Sequence, residues 1–145
     1  MRFYPPVPVL FRSANQDTTL PRGGGPDGKA PVLVPRGTLV SFSTYSLHRR
    51  EDIYGEDANE FRPERWDDLR VRWEYLPFSA GARVCMGQMY ALAEMTYILA
   101  RTLQEFDSLE SRSAGPWVER WSITLSTGDG TKVALTPRKE SEKQI

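Results

Sequence analysis

The chain has 145 residues, enough for one ordinary domain with a modest core. Its 19 basic and 19 acidic residues cancel, which removes the global field that binding to nucleic acid or to an anionic membrane draws on. One cysteine and one histidine rule out an intramolecular disulfide and a multi-ligand Cys/His zinc site, and no apolar run reaches the length of a bilayer span. Phe3 to Phe11 is apolar and broken by Pro5, Pro6 and Pro8, so it reads as an extended connector feeding a strand, with Gln16 to Leu20 as a continuing edge strand. Pro21 to Lys29 is rich in turn formers. Its glycines lack the Gly-Lys-Ser/Thr ending and the strand-to-helix frame of a phosphate cradle, so the stretch reads as a surface loop.

Pro31 to Val34 and Thr38 to Ser43 flank Pro35-Arg36-Gly37 and predict a β-hairpin. Arg50 to Tyr54 predicts a short helix ended by Gly55. His48, beside Arg49 and Arg50, is expected to be a hydrogen-bonding histidine, partly buried, in preference to a ligand or a base. Glu56 to Asp68 is polar, and Phe61-Arg62-Pro63-Glu64-Arg65-Trp66 within it reads as a loop pinned to the core by its aromatics. From Gln88 to about Phe106, apolar residues at Met89, Leu92, Ala93, Tyr97, Leu99, Ala100, Leu103 and Phe106 recur at three and four and predict one long helix with a core face. Asp107 to Arg120 is expected to be irregular. Trp121 to Ser126 and Lys132 to Thr136 alternate around Gly128-Asp129-Gly130 and predict a second hairpin. The charged residues from 138 to 145 read as a fraying tail.

The chemistry concentrates at Phe78-Ser79-Ala80-Gly81-Ala82-Arg83-Val84-Cys85-Met86-Gly87, just before the long helix. A helix start and a nearby arginine both favour negative charge on a cysteine sulfur, the form that a metal takes as ligand. On spacing alone Cys85 is equally an ordinary buried thiol. A cysteine-dependent hydrolase or redox sensor pairing Cys85 with His48 lacks an orienting carboxylate and a spacing that joins the two.

Phe78, Gly81, Arg83, Cys85 and Gly87 together fill every fixed position of Phe-x-x-Gly-x-Arg-x-Cys-x-Gly. That pattern resembles the haem-binding signature of the cytochrome P450 family. The block Phe61 to Trp66 resembles the family's Pro-Glu-Arg-Phe block, and the likeness runs from Arg2 to about Pro137. It implies an α+β fold: the C-terminal portion of the P450 architecture over residues 1–137, with two β-hairpins, the haem loop and one long helix, followed by the tail at 138–145.

The resemblance further implies haem b, with Cys85 as the axial thiolate and metal ligand and Phe78, Gly81 and Gly87 shaping the cofactor loop. Arg12 and Arg83 resemble the residues that reach the haem propionates. Val7, Val9 and Leu10, with Leu125 and Ser126, resemble substrate-lining segments. Arg2, Glu64 and Arg65 resemble a structural ion-pair network, in which a further glutamate would fall three residues before Arg2. The implied reaction is hydroxylation of a small hydrophobic substrate by O2, with electrons from an NADPH-dependent reductase. The wording around Gly23 to Gly28, His48 to Arg50 and Trp73 to Tyr75 is most like fungal members acting on alkanes and fatty acids. The family's oxygen-activating helix and the N-terminal anchor that holds relatives at the endoplasmic reticulum have no counterpart in these residues. A chain that is catalytically inactive alone, a truncated product or partial gene model that at most binds haem, is therefore the alternative expectation, and localisation stays open.

Overall fold

The computed structural model describes residues 1–139, so most of the predicted tail lies outside the described residues. The chain forms two compact units, Met1–Tyr75 and Leu76 onward.

In the first unit, β1 (Val9–Ser13) pairs antiparallel with β4 (Leu39–Ser43), and β2 (Thr18–Gly24) pairs antiparallel with β3 (Ala30–Val34). The register is the same in both pairs: Ser13 faces Leu39, and Thr18 faces Val34. The four strands are one long hairpin interrupted at its middle. This corrects the expected pairing of residues 31–34 with 38–43. Pro35-Arg36-Gly37 is a corner, because its N–H groups bond across the ribbon. Gly37 donates to the Ala14 carbonyl at 2.8 Å and Arg36 to Asp17 Oδ1 at 2.8 Å. The true reversal lies between Gly24 and Ala30, after a register shift between Leu20 and Gly24. A Cβ on Gly24 would meet the Pro31 carbonyl oxygen at 2.8 Å, so only glycine lets the strands approach this closely.

Three short helices follow. In α1 (Thr44–Leu47) the Ser43 hydroxyl caps the first turn, accepting from the Ser46 N–H, while Thr44 Oγ1 donates to the Val7 carbonyl at 2.7 Å. The predicted helix appears as α2 (Glu51–Tyr54), with Gly55 after it at φ 87. An unpredicted α3 (Arg65–Asp68) begins inside the Phe61-to-Trp66 block. The buried centre of this unit is unusually polar: Val34, Tyr54 and Ala58 share it with Arg2, Thr44, His48 and Arg65. Burial at 0 % exposure corrects the expectation that His48 is only partly buried.

The second unit runs from a tight loop into α4 (Gln88–Glu105), as predicted, and directly into β5 (Phe106–Ser111). β6 (Glu119–Trp121) pairs with β7 (Leu125–Thr127), and β5 pairs with β8 (Val133–Pro137), one hairpin nested inside the other. The predicted pairing of 121–126 with 132–136 is therefore corrected, as is the irregular reading of 107–120. The Gly128 N–H extends the inner pair by one rung, donating to the Val118 carbonyl at 2.8 Å. Arg138 is held by its N–H to the Glu105 carbonyl and by its guanidinium to Asp107, both at 2.8 Å.

The expected core face of α4 is not observed, because no residue of the helix is buried. Tyr97, Leu99 and Leu103 are each more than 60 % exposed. Spacing sets which side chains share a face; whether anything covers that face is a tertiary matter.

Candidate functional site

The loop before α4 is built almost wholly from backbone hydrogen bonds. The Ser79 N–H donates to the Leu76 carbonyl at 3.3 Å, and Ser79 itself sits at φ 62. A 3₁₀ turn at Gly81–Arg83 follows, with Gly81 at φ 72 and the Val84 N–H on the Gly81 carbonyl at 3.1 Å. The Cys85 N–H then returns to the Phe78 carbonyl at 2.9 Å, closing the stretch into a ring. The Gln88 N–H on the Cys85 carbonyl at 3.3 Å leads into α4. Cys85 is exposed. A Cβ on Gly87 would lie 3.8 Å from its Sγ, so glycine keeps the space beside the sulfur open. Among the described residues no three His, Cys, Asp or Glu side chains converge on a common point.

The first unit holds a second constellation. Arg2 donates to the carbonyls of His48 and Ala58, both at 2.7 Å, and to that of Glu60 at 3.3 Å. Arg65 donates to the carbonyls of Tyr54 at 2.8 Å, Asp57 at 2.9 Å and Glu60 at 3.2 Å, and to Asp57 Oδ1 at 3.1 Å. Asp57 Oδ2 faces Arg62 Nη1 at 2.9 Å. Two guanidinium groups, Arg62 and Arg65, thus share one carboxylate while Arg2 bonds only to carbonyls, and Arg65 Nε is buried without a hydrogen-bond partner among the described residues. Burial, then repulsion from Arg65, pulls the Arg2 pKa below the usual arginine value. The Arg65 hydrogen bond, helped by the charges of Arg62 and Arg65, holds the Asp57 carboxyl below the usual range. Arg2, Arg65, Phe3, Phe61, Trp66 and Tyr75 line a cavity of about 510 Å³.

Both constellations coincide with the sequence blocks singled out above, and the cytochrome P450 family model matches residues 1–130. The chain belongs to the cytochrome P450 family. It is 50 % identical over 135 residues to cytochrome P450 monooxygenase fsdH of Fusarium heterosporum, covering 93 % of this chain and 24 % of that protein. It is also 50 % identical over 139 residues to cytochrome P450 52A13 of Debaryomyces hansenii, covering 94 % of this chain and 27 % of that protein. The chain spans about a quarter of the length of the curated relatives it matches.

P450 enzymes use haem held by a cysteine thiolate, and the loop fits that group: an exposed sulfur, open space beside it, and backbone in place of competing side-chain ligands. The structure brings together Phe78, Gly81, Arg83, Cys85 and Gly87 on this one P450 loop. Arg83 is exposed and, among the described residues, carries no ion pair. It likewise brings Arg2 and Arg65 together, whereas Glu64 is exposed and the carboxylate on Arg65 belongs to Asp57.

Arg12, whose Nη1 donates to the Phe11 carbonyl at 2.8 Å, lies in the first unit with Val7, Val9 and Leu10; Leu125 and Ser126 lie on β7 in the second. The side chain of His48 is wholly enclosed in its unit, which removes support for its use as a base. Asp57 was missed because eight residues separate it from Arg65 with no periodic signal. Ser79 was missed because nothing in a serine announces a left-handed backbone. Among the described residues no helix is long and apolar enough to cross a membrane.

Proposed function

We propose that this chain carries the thiolate-bearing loop of a haem-thiolate monooxygenase, with Cys85 as the axial ligand of haem b. The observation that carries the reading is an exposed Cys85 whose N–H is fixed to the Phe78 carbonyl at 2.9 Å within the complete family signature. When bound, the haem supplies oxygen activation, and the thiolate pushes electron density onto the iron to favour O–O cleavage. The chain's own residues do the rest. The backbone ring from Phe78 to Cys85 fixes the sulfur, Gly87 leaves room for a flat group beside it, and half-buried Phe78 is assigned to pack beside the thiolate once haem is bound. Arg83 and Arg12 are assigned to the haem propionates, where a guanidinium pairs with a carboxylate bidentately. Val7, Val9, Leu10, Leu125 and Ser126 are assigned to the substrate.

The substrate class is a small aliphatic molecule, an alkane or fatty acid, and the electrons come from an NADPH-dependent reductase. The likeness of Gly23–Gly28, His48–Arg50 and Trp73–Tyr75 to fungal enzymes of that kind supports this. Arg2 and Arg65 are assigned to a structural ion-pair network completed by a further carboxylate near Arg65 Nε. The absence of a partner there supports the assignment.

A second reading is favoured by the absence of any buried residue on α4: the 145-residue chain binds haem without turning over substrate. The two readings separate on reconstitution with haemin. Both require the red-shifted Soret band of a thiolate-ligated ferrous–CO complex, lost in Cys85→Ala. Only the first shows NADPH-dependent hydroxylation with a reductase present. A wild-type chain without that band, or a Cys85→Ala variant that keeps it, overturns both.

A further inference from the structure

Ser79 is the only non-glycine residue at positive φ among the described residues, at 62°. An L-residue resists that conformation because its Cβ crowds the following carbonyl. Strain of this kind persists only where the surroundings over-determine it. Here two tight turns must join within a few residues. Ser79 ends the turn begun at Leu76, and Gly81 opens the 3₁₀ turn that ends at Arg83. The bond from Cys85 N–H to the Phe78 carbonyl runs from inside the first turn across the whole of the second. An extended φ at Ser79 would swing the Phe78 carbonyl away from the strand of chain that carries Cys85. The cysteine is exposed and the ring around it is closed by backbone hydrogen bonds, so a lost ring bond moves the sulfur directly.

We infer that Ser79 is a positioning residue for the Cys85 sulfur, acting through its left-handed backbone to close the Phe78–Cys85 ring. The inference deepens the haem-thiolate reading and rests on it for the consequence at iron. Its geometric half stands on the haem-free chain.

The test is a series at one position: Ser79→Gly, Ser79→Ala and Ser79→Val. Glycine adopts positive φ freely, alanine pays the ordinary Cβ cost, and a β-branched residue there is a genuine outlier. In the haem-free protein, exchange of the Cys85 amide hydrogen is expected to be unchanged or slower in Ser79→Gly and about tenfold faster in Ser79→Val, with Ser79→Ala between. In the haemin-loaded protein, the fraction showing the thiolate-type ferrous–CO band is expected to follow the same order. Far-UV circular dichroism, expected to be the same across the series, separates a local effect from unfolding. Equal Cys85 amide exchange in Ser79→Gly and Ser79→Val overturns the inference, as does a Ser79→Gly variant that loses protection. If the wild type lacks the thiolate band while the exchange order holds, the haem reading fails and the positioning role survives.

Discussion

Arg2 and Arg65 meet on one oxygen: both guanidinium groups donate to the carbonyl of Glu60, at 3.3 and 3.2 Å. Sixty-three positions apart in the chain, they hold the segment from Tyr54 to Glu60 wrapped around two positive charges. Carbonyl dipoles do most of the stabilising, and among the described residues Asp57 supplies the formal countercharge.

Arg65→Ala is therefore expected to destabilise the chain by about 3–5 kcal/mol, because it leaves buried carbonyls and a carboxylate unpaired. Arg65→Lys is expected to recover less than half of that, since one ammonium cannot reach four acceptors laid out for a planar fork. Urea midpoints measure both. A loss under 1 kcal/mol in Arg65→Ala would show that the cluster is incidental.

Acid should loosen the same unit in two steps. Burial, the largest cause, drives the His48 pKa down from 6.5 to about 4, so the folded state keeps this group neutral while the unfolded chain takes up a proton. Stability is full above the ordinary histidine pKa and falls as pH drops from 6.5 towards 4. The Asp57 carboxyl, depressed below its ordinary 3.8, adds a further loss as pH falls past that value. Thermal midpoints between pH 7 and pH 3 (values chosen about the ordinary pKa of each group) should decline throughout. His48→Gln should flatten the upper step alone.

Two glycines of the first hairpin should respond differently to alanine. At Gly24 a new Cβ would sit 2.8 Å from the Pro31 carbonyl oxygen, and backbone cannot step aside cheaply. At Gly28, with φ +68, a Cβ meets nothing within 4 Å. Gly28→Ala is expected to cost about 1 kcal/mol for the left-handed backbone alone, and Gly24→Ala about 1–3 kcal/mol with a visible shift at the bulge. Chemical-shift changes spreading along β2 and β3 in Gly24→Ala, but confined to the turn in Gly28→Ala, would check the distinction.

The exposure of α4 predicts low local stability. An 18-residue helix with no buried residue has little tertiary support, and packing of an apolar face is what supplies most of a helix's stability in a protein. Its amides are expected to exchange faster than those of the Tyr54–Glu60 segment under native conditions. Leu99→Glu is expected to change stability by less than about 0.5 kcal/mol. Val34→Ala, at a residue 4 % exposed, is expected to cost about 2 kcal/mol. A cost above 1 kcal/mol for Leu99→Glu would mean the helix is covered in solution.

The signature from Phe78 to Gly87 was fully legible, because loop chemistry of this kind is written in consecutive residues whose identities are each required. The long helix was legible for a similar reason: its period is local. Strand pairing was not. Residues 31–34 and 38–43 alternate as a hairpin would, yet each pairs with a more distant segment; at the other end 125–127 folds back on 119–121, and 133–137 pairs with 106–111. Alternation specifies which face a side chain takes, and says nothing about which partner offers the free hydrogen bonds.

By itself, then, the sequence determined the family, the cysteine that bears the chemistry and the helix behind it. Only the tertiary structure decided that both hairpins nest, that Asp57 and not Glu64 meets Arg65, that His48 is enclosed, and that Ser79 carries the reversal of the cysteine loop. Each of these depends on groups far apart in the chain, or on a backbone angle no side chain encodes.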